Sequence, residues 1–268
     1  MFTSLSLETI KKVAPSVFTE EGATHTSEKY QHISTEKVVK ALMAEGFVPT
    51  MATQSSARLE GKEAYTKHML RFRRVDARPT MSGLFPEIVL INSHDCLSSY
   101  RLMAGIYRLI CSNGLTAGKM YNEIRVRHQG DILGKVIEGT YEVVENSKKM
   151  LDAAERMRAV ELSYSEKKIF AESAHAIRFE NSPLSEAIKP VKLLLPRQSA
   201  EFNKDDLFTV FNVVQENIIK GGLHGHAKDA NGHYKRVSTR AVKSIDQNTS
   251  LNRALWTLSE KMMQLKGI

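Results

Sequence analysis

The spacing of apolar residues changes along the chain. After Thr35, the run EKVVKALMAEG places Val38, Val39, Leu42 and Met43 at helical intervals, and Gly46 ends it. FVPTMATQSSAR follows, polar but with β-favouring positions. In HMLRFRRV the pattern turns to alternation, with Leu70 and Phe72 on one side of a strand and Met69 and Arg71 on the other. PEIVLIN is a short apolar run that predicts an inner strand, closed by a turn at Asn92-Ser93-His94-Asp95. SSYRLMAGIYRLICSNGL sets Leu102, Met103, Ile106, Leu109 and Ile110 on one helical face, stopped by Asn113-Gly114. This predicts a helix, although Tyr100, Leu102 and Tyr107 suit a strand over its first half. MYNEIRVRHQG alternates again, Ile124 and Val126 against Arg125 and Arg127.

The later sequence is helical. Residues 131–176 carry a long helical pattern broken around Leu162–Ser165, where a serine serves as N-cap and Glu166 stands just inside the next helix. Pro183, Pro190 and Pro196 mark a linker or surface loop. DDLFTVFNVVQENIIKGG is a capped amphipathic helix ending at Gly221-Gly222, and SLNRALWTLSEKMMQLKG is a closing helix with the lone Trp256. The pattern predicts an α+β protein: an early helix–three-strand–helix sheet core followed by a helical C-terminal half. Its segments are an irregular stretch (1–32), the α+β core (33–180), the linker or loop (181–203) and a helical segment (204–268). That last segment holds a basic Gly/His-rich arm at 220–246.

Composition narrows the function classes. The chain has 268 residues, 25% of them charged and 42% hydrophobic, the balance of a folded globular protein. Its net charge of +8 supplies a sequence-independent attraction to phosphate. Nowhere do about eighteen apolar residues run together, and MFTSLSLETIKKVAP reads as neither signal peptide nor anchor. Cys96 and Cys111 form no metal or disulfide motif, which fits a reducing cytoplasm without membrane contact.

The charge resolves into two clusters. One is Lys67, His68, Arg71, Arg73, Arg74 and Arg78; as a strand it lines an open sheet face with Lys67, Arg71, Arg73 and Arg74, fitted to a nucleic-acid backbone. Only Tyr65 and Phe72 interleave there, so base stacking has little support. The second runs from Lys220 to Lys243, six Lys/Arg against the single acid Asp229. Asp229-Ala-Asn-Gly signals a tight turn, and a hairpin or flexible arm would present Lys220, Lys235, Arg236, Arg240 and Lys243 to phosphates.

Other chemistry is poorly provided for. His224, His226 and His233 with Asp229 sit in a glycine-rich loop that pre-organises no metal site. His94-Asp95 and His128 with Asp131 could hold magnesium for a nuclease, but paired carboxylates are lacking and turn or capping roles are favoured. Cys111 falls on an apolar face and reads as a buried structural thiol. No nucleotide-binding loop, nucleophile elbow or zinc-protease motif occurs, so neither a cofactor nor a catalytic residue is expected.

The blocks TKHMLRFRR, PEIVLINSHD, SSYRLMAGIYRLICSNGL, VIEGTYEV, QENIIKGGLHG, STRAVKSID and LNRALWTLSEKM, in that order, resemble the domain-of-unknown-function 932 family, in particular its YfjQ/YafZ-like branch. The resemblance spans about Val13 to Leu265. It implies a protein encoded on prophages, conjugative plasmids or integrative elements and carries over no catalytic residue. A weaker similarity, of element order and charge alone, is to phage single-strand annealing proteins, which form rings and hold DNA without metal chemistry. Together these give the expectation of a mobile-element DNA-binding protein, with single-strand binding or annealing in recombination or establishment as its service. The alternative is a protein-binding antagonist of a host defence system, of the antirestriction or anti-CRISPR type. Strand preference stays open, and a homo-oligomer is compatible with either reading.

Overall fold

A computed structural model describes residues 4–22, 31–57, 61–95, 98–109, 113–116, 123–229 and 232–267. Cys96 and Cys111 lie outside these residues. The chain forms two compact units, one made of residues 1–109 and 114–151, the other of residues 110–113 and 152–268. The division falls inside a helix, and the proline-bearing stretch 181–203 lies wholly in the second unit. Among the described residues no helix is long and apolar enough to cross a membrane.

The first unit is built on one sheet. Its helices are α1 (Leu7–Val13), α2 (Thr35–Ala44) and the first part of α3 (Ile132–Arg158); its strands are β1 (Phe47–Gln54), β2 (His68–Arg74), β3 (Leu84–Asn92), β4 (Tyr100–Arg108), β5 (Asn113–Thr116) and β6 (Ile124–Val126). The sheet runs β1-β2-β3-β4-β5, with β6 also paired to β4. The β1–β2, β2–β3, β3–β4 and β4–β6 pairs are antiparallel. Arg71 stands opposite Val89 and Val89 opposite Met103, so the register carries one side-chain row across three strands.

The segment 99–112, which the sequence spacing predicts as a helix, holds β4 instead. The cause is burial on both sides: every β4 residue is buried or half-buried, so polar alternation vanishes and apolar spacing suits either period. The same holds for β2, where His68 through Arg73 are all buried. Leu70 and Phe72 are fully covered and contribute about 1.5–3 kcal/mol each.

The second unit packs α4 (Tyr164–Phe179), α5 (Leu207–Lys220) and α6 (Ile245–Leu265) with a two-stranded ribbon, β7 (His224–Lys228) and β8 (Tyr234–Ser238). Ser163 caps α4 in a reciprocal box with Glu166, as the serine near the break predicts. Asp206 caps α5, whose residues Leu207–Ile219 are all buried. The ring of Phe211 meets the edge of Trp256 at 5.7 Å. Polar residues on α5 find partners inside the unit: Gln215 donates to Asn252 at 2.7 Å, and Asn217 donates to the Leu193 and Leu195 carbonyls.

Candidate nucleic-acid interface

The two basic clusters belong to different units and meet different fates. On β2 the expectation of an open arginine face is corrected: Arg71 is 4% exposed and Arg73 3%. Both reach Glu87 of β3, Arg71 Nη1 at 2.9 Å from one carboxylate oxygen and Arg73 Nε at 2.8 Å from the other. The Arg73 guanidinium also stacks 3.9 Å from the centre of the Tyr107 ring. A central strand has neighbours on both edges and cover on both faces, so its cations are neutralised from within. Lys67 is half-buried beside them. Arg74, at the strand's end, is exposed and paired with Asp76 at 3.0 Å, which raises its pKa and holds the Asp76 carboxyl low.

The arm is a hairpin, as one of the two sequence readings has it. The register pairs His224 with Ser238, His226 with Arg236 and Lys228 with Tyr234, and the intervening pairs are Gly225 with Val237 and Ala227 with Lys235. Directly opposed residues share a face. One face therefore holds His224, His226, Lys228, Tyr234, Arg236 and Ser238, and every one of these is exposed. It contains no acid. Lys228 Nζ lies 5.5 Å from the centre of the Tyr234 ring.

Local sequence explains how the ribbon is seated. On its other face Gly225 lies against the backbone of Ala187, where a Cβ would collide with the Ala187 carbonyl oxygen. The amine of Lys192 donates to the His224 carbonyl, tying the outer edge of β7 to the same stretch. At the ribbon's base, Gly222 N–H donates to the Thr239 carbonyl at 2.8 Å and Thr239 N–H to the Leu223 carbonyl at 2.9 Å. Gly221, at φ 66°, turns the end of α5 into the ribbon, and its α-carbon faces the Arg240 backbone too closely for any side chain. Lys235, Arg236, Arg240 and Lys243 are all exposed. Lys220 is exposed but committed to Glu216 at 2.7 Å.

Beside the ribbon runs a groove of about 650 Å³. His226, Lys228 and Tyr234 line it on the ribbon side, and Lys189, Lys192 and Glu186 on the side of the 183–192 stretch. Lys189, Lys192, Lys228 and Tyr234 are thus additions to the sequence-derived set. The two lysines sit in the proline-marked loop, where nothing in the sequence ties them to the arm.

A third feature draws histidines from four separate segments. His68 and His94 are fully buried and His128 nearly so, and the His94 ring lies 4.7 Å from that of His32 and 5.4 Å from that of His68. His68 meets Ser16 Oγ and Thr35 Oγ1, each at 2.9 Å, and His128 Nε2 meets Asn92 Oδ1 at 3.0 Å. Tyr100 donates to the Ile33 carbonyl, and Asn92 donates to Thr35. Burial, its largest cause, pushes His68 down to about 4; burial and then the neighbouring imidazoles push His94 down to about 2. His128 is lowered as well, again by burial first. His68, His94 and His128 are thus buried together in surroundings that favour their neutral form. Asp95 accepts from Ser93, and Asp131 accepts from Gly134 N–H at the start of α3, the turn and capping roles the sequence favoured. Among the described residues no group of three His, Cys, Asp or Glu has the geometry to hold a metal ion.

Relatives of the chain are found along nearly its whole length. The family described as "Domain of unknown function (DUF932)" matches residues 24–256. The UPF0380 protein YafZ of Escherichia coli (strain K12) is 38% identical over 262 residues, covering 97% of this chain and 92% of the relative. The UPF0380 protein YfjQ of the same strain is 38% identical over 261 residues, again covering 97% and 92%. No solved structure matches the chain.

Proposed function

The chain belongs to the DUF932 family, and we propose that it is a nucleic-acid-binding protein, acting on DNA through the β7–β8 ribbon. One observation carries this reading: a ribbon face of six exposed side chains that includes Lys228, Tyr234 and Arg236, with no acid among them. Arg240 and Lys243 extend the positive surface beyond β8, and Lys189 and Lys192 extend it across the groove. Cations in this density release counterions from a phosphate backbone, and the register of the ribbon sets Lys228 and Arg236 along one face. The service such binding would give is recombination or establishment of a mobile element.

Fluorescence anisotropy with labelled oligonucleotides tests it. At low salt the protein binds, and affinity falls linearly on a log–log plot of salt. Each phosphate contact contributes about 0.7 to the slope on a single strand and about 0.9 on a duplex. Absence of binding up to tens of micromolar at low salt sinks the reading, and the basic face then serves an acidic protein partner, as a defence antagonist requires.

A further inference from the structure

Resting on that reading, we infer that Tyr234 is a base-stacking platform and that the groove beside it makes the ribbon selective for single-stranded nucleic acid. Tyr234 opens β8 and is 72% exposed, on the outward face of the ribbon rather than against the unit's core. Its surroundings fit a nucleotide. Lys228 stands directly across the ribbon with its amine near the ring, and Arg236 follows two residues along the same face. The opposite wall of the groove supplies Lys189 and Lys192. A base laid on the ring therefore has cations on both sides for the phosphates that flank it.

The groove is built rather than induced. Gly225 against the Ala187 carbonyl and the Lys192 bond to the His224 carbonyl fix the distance between its two walls. Its single acid, Glu186, is exposed and faces three lysines and His226. Phosphate attraction alone does not separate a single strand from a duplex, but stacking does: a duplex keeps its base faces covered, and only an unpaired base can lie on a tyrosine. Stacking one base on an aromatic ring is worth about a tenfold change in affinity or more.

The test compares an oligothymidine of about 20 nucleotides with a duplex of equal length, using the full chain at low salt. The variants are Tyr234→Ala, Tyr234→Phe and Lys189→Ala. The wild type prefers the single strand. Tyr234→Ala weakens single-strand binding about tenfold and leaves duplex binding within about twofold, whereas Tyr234→Phe keeps the preference. Lys189→Ala weakens both and lowers the salt slope. A 2-aminopurine base in the strand changes fluorescence on binding wild type and Tyr234→Phe but not Tyr234→Ala. If Tyr234→Ala lowers both affinities equally, or neither, the inference is overturned while the binding reading stands. If neither oligonucleotide binds the wild type, both fall together. Tyr234 supports no core residue, so the variant's thermal unfolding stays that of the wild type and reports that the fold is intact.

Discussion

Strands β2 and β8 both carry cations on a face that alternation alone would assign to solvent. Arg71 and Arg73 share one side of β2; Arg236 shares a side of β8 with Tyr234 and, across the pair, with Lys228 and His226. The arginines of β2 are buried and close on Glu87, while the cations of the ribbon stand in water with no acid on their face. What separates them is the cover over the face and the charge that the adjoining strand brings. β2 lies between β1 and β3, and β3 brings a carboxylate into the same row; β8 has only β7 beside it. Alternation tells which side chains share a face, and the rest of the fold decides whether that face meets solvent. A charge row in a sheet meets solvent only where no packed layer and no counter-ion from a neighbouring strand closes over it.

The sharpest way to break this contrast is to remove the buried counter-ion. Glu87→Ala leaves two arginines in the interior without their shared carboxylate, and stability falls by about 3–5 kcal/mol in chemical denaturation. Replacing the whole triad with Arg71→Met, Arg73→Met and Glu87→Leu restores much of that loss, because the desolvation cost disappears with the charges. A Glu87→Ala protein as stable as wild type would mean that Arg71 and Arg73 do not depend on this carboxylate.

Acid gives an effect of comparable size, on the histidine network of the same unit. Above an ordinary histidine pKa of 6.5, His68 is neutral whether folded or unfolded, and the full stability is present. Below it the unfolded chain takes a proton that folded His68, held at about 4, refuses. Stability is thus lost as pH falls from 6.5 through about 4, by about 3 kcal/mol for His68 alone, and His94 adds in the same sense. Melting temperatures at about pH 7 and about pH 4.5 measure it, and His68→Gln flattens the dependence. Equal acid sensitivity in that variant would assign the loss to other groups.

The smallest effect on stability belongs to the ribbon. Lys235 and Arg236 are exposed, so in Lys235→Glu with Arg236→Glu the thermal midpoint stays within the shift expected for about 0.5 kcal/mol. Oligonucleotide affinity nonetheless collapses in the same variant. If instead the melt drops and binding persists, the roles assigned to the two cation rows are reversed.

Much of the fold could be read from spacing: α2, the strand at 68–74, the inner strand at 84–92, α5 and the ribbon all follow from periodicity and caps. Two segments depart from it: β4, where both faces are buried and the apolar pattern carries no period, and α1, a single short helix capped by Ser6 within the stretch 1–32 that the sequence reads as irregular. The site was half legible. The arm's cations announced themselves by density, and Tyr234 stood among them as Tyr-Lys-Arg; its exposure follows only from the register with Lys228. Glu87 goes unread in the sequence, where PEIVLIN figures only as an inner strand; its pairing with both arginines follows from the strand register. The histidine network was not legible, because His32, His68, His94 and His128 meet only through the fold.

The seating of the ribbon has a bearing on how such a protein can change over generations. What holds it in place is a pair of missing side chains, at Gly221 and Gly225, together with backbone hydrogen bonds at its base. The six outward side chains carry none of that duty. Substitutions among them can change the chemistry of the outer face at little risk to folding, whereas a single methyl at Gly225 collides with the Ala187 carbonyl and unseats the ribbon. The ribbon is thus a fixed mount with an exchangeable outer face.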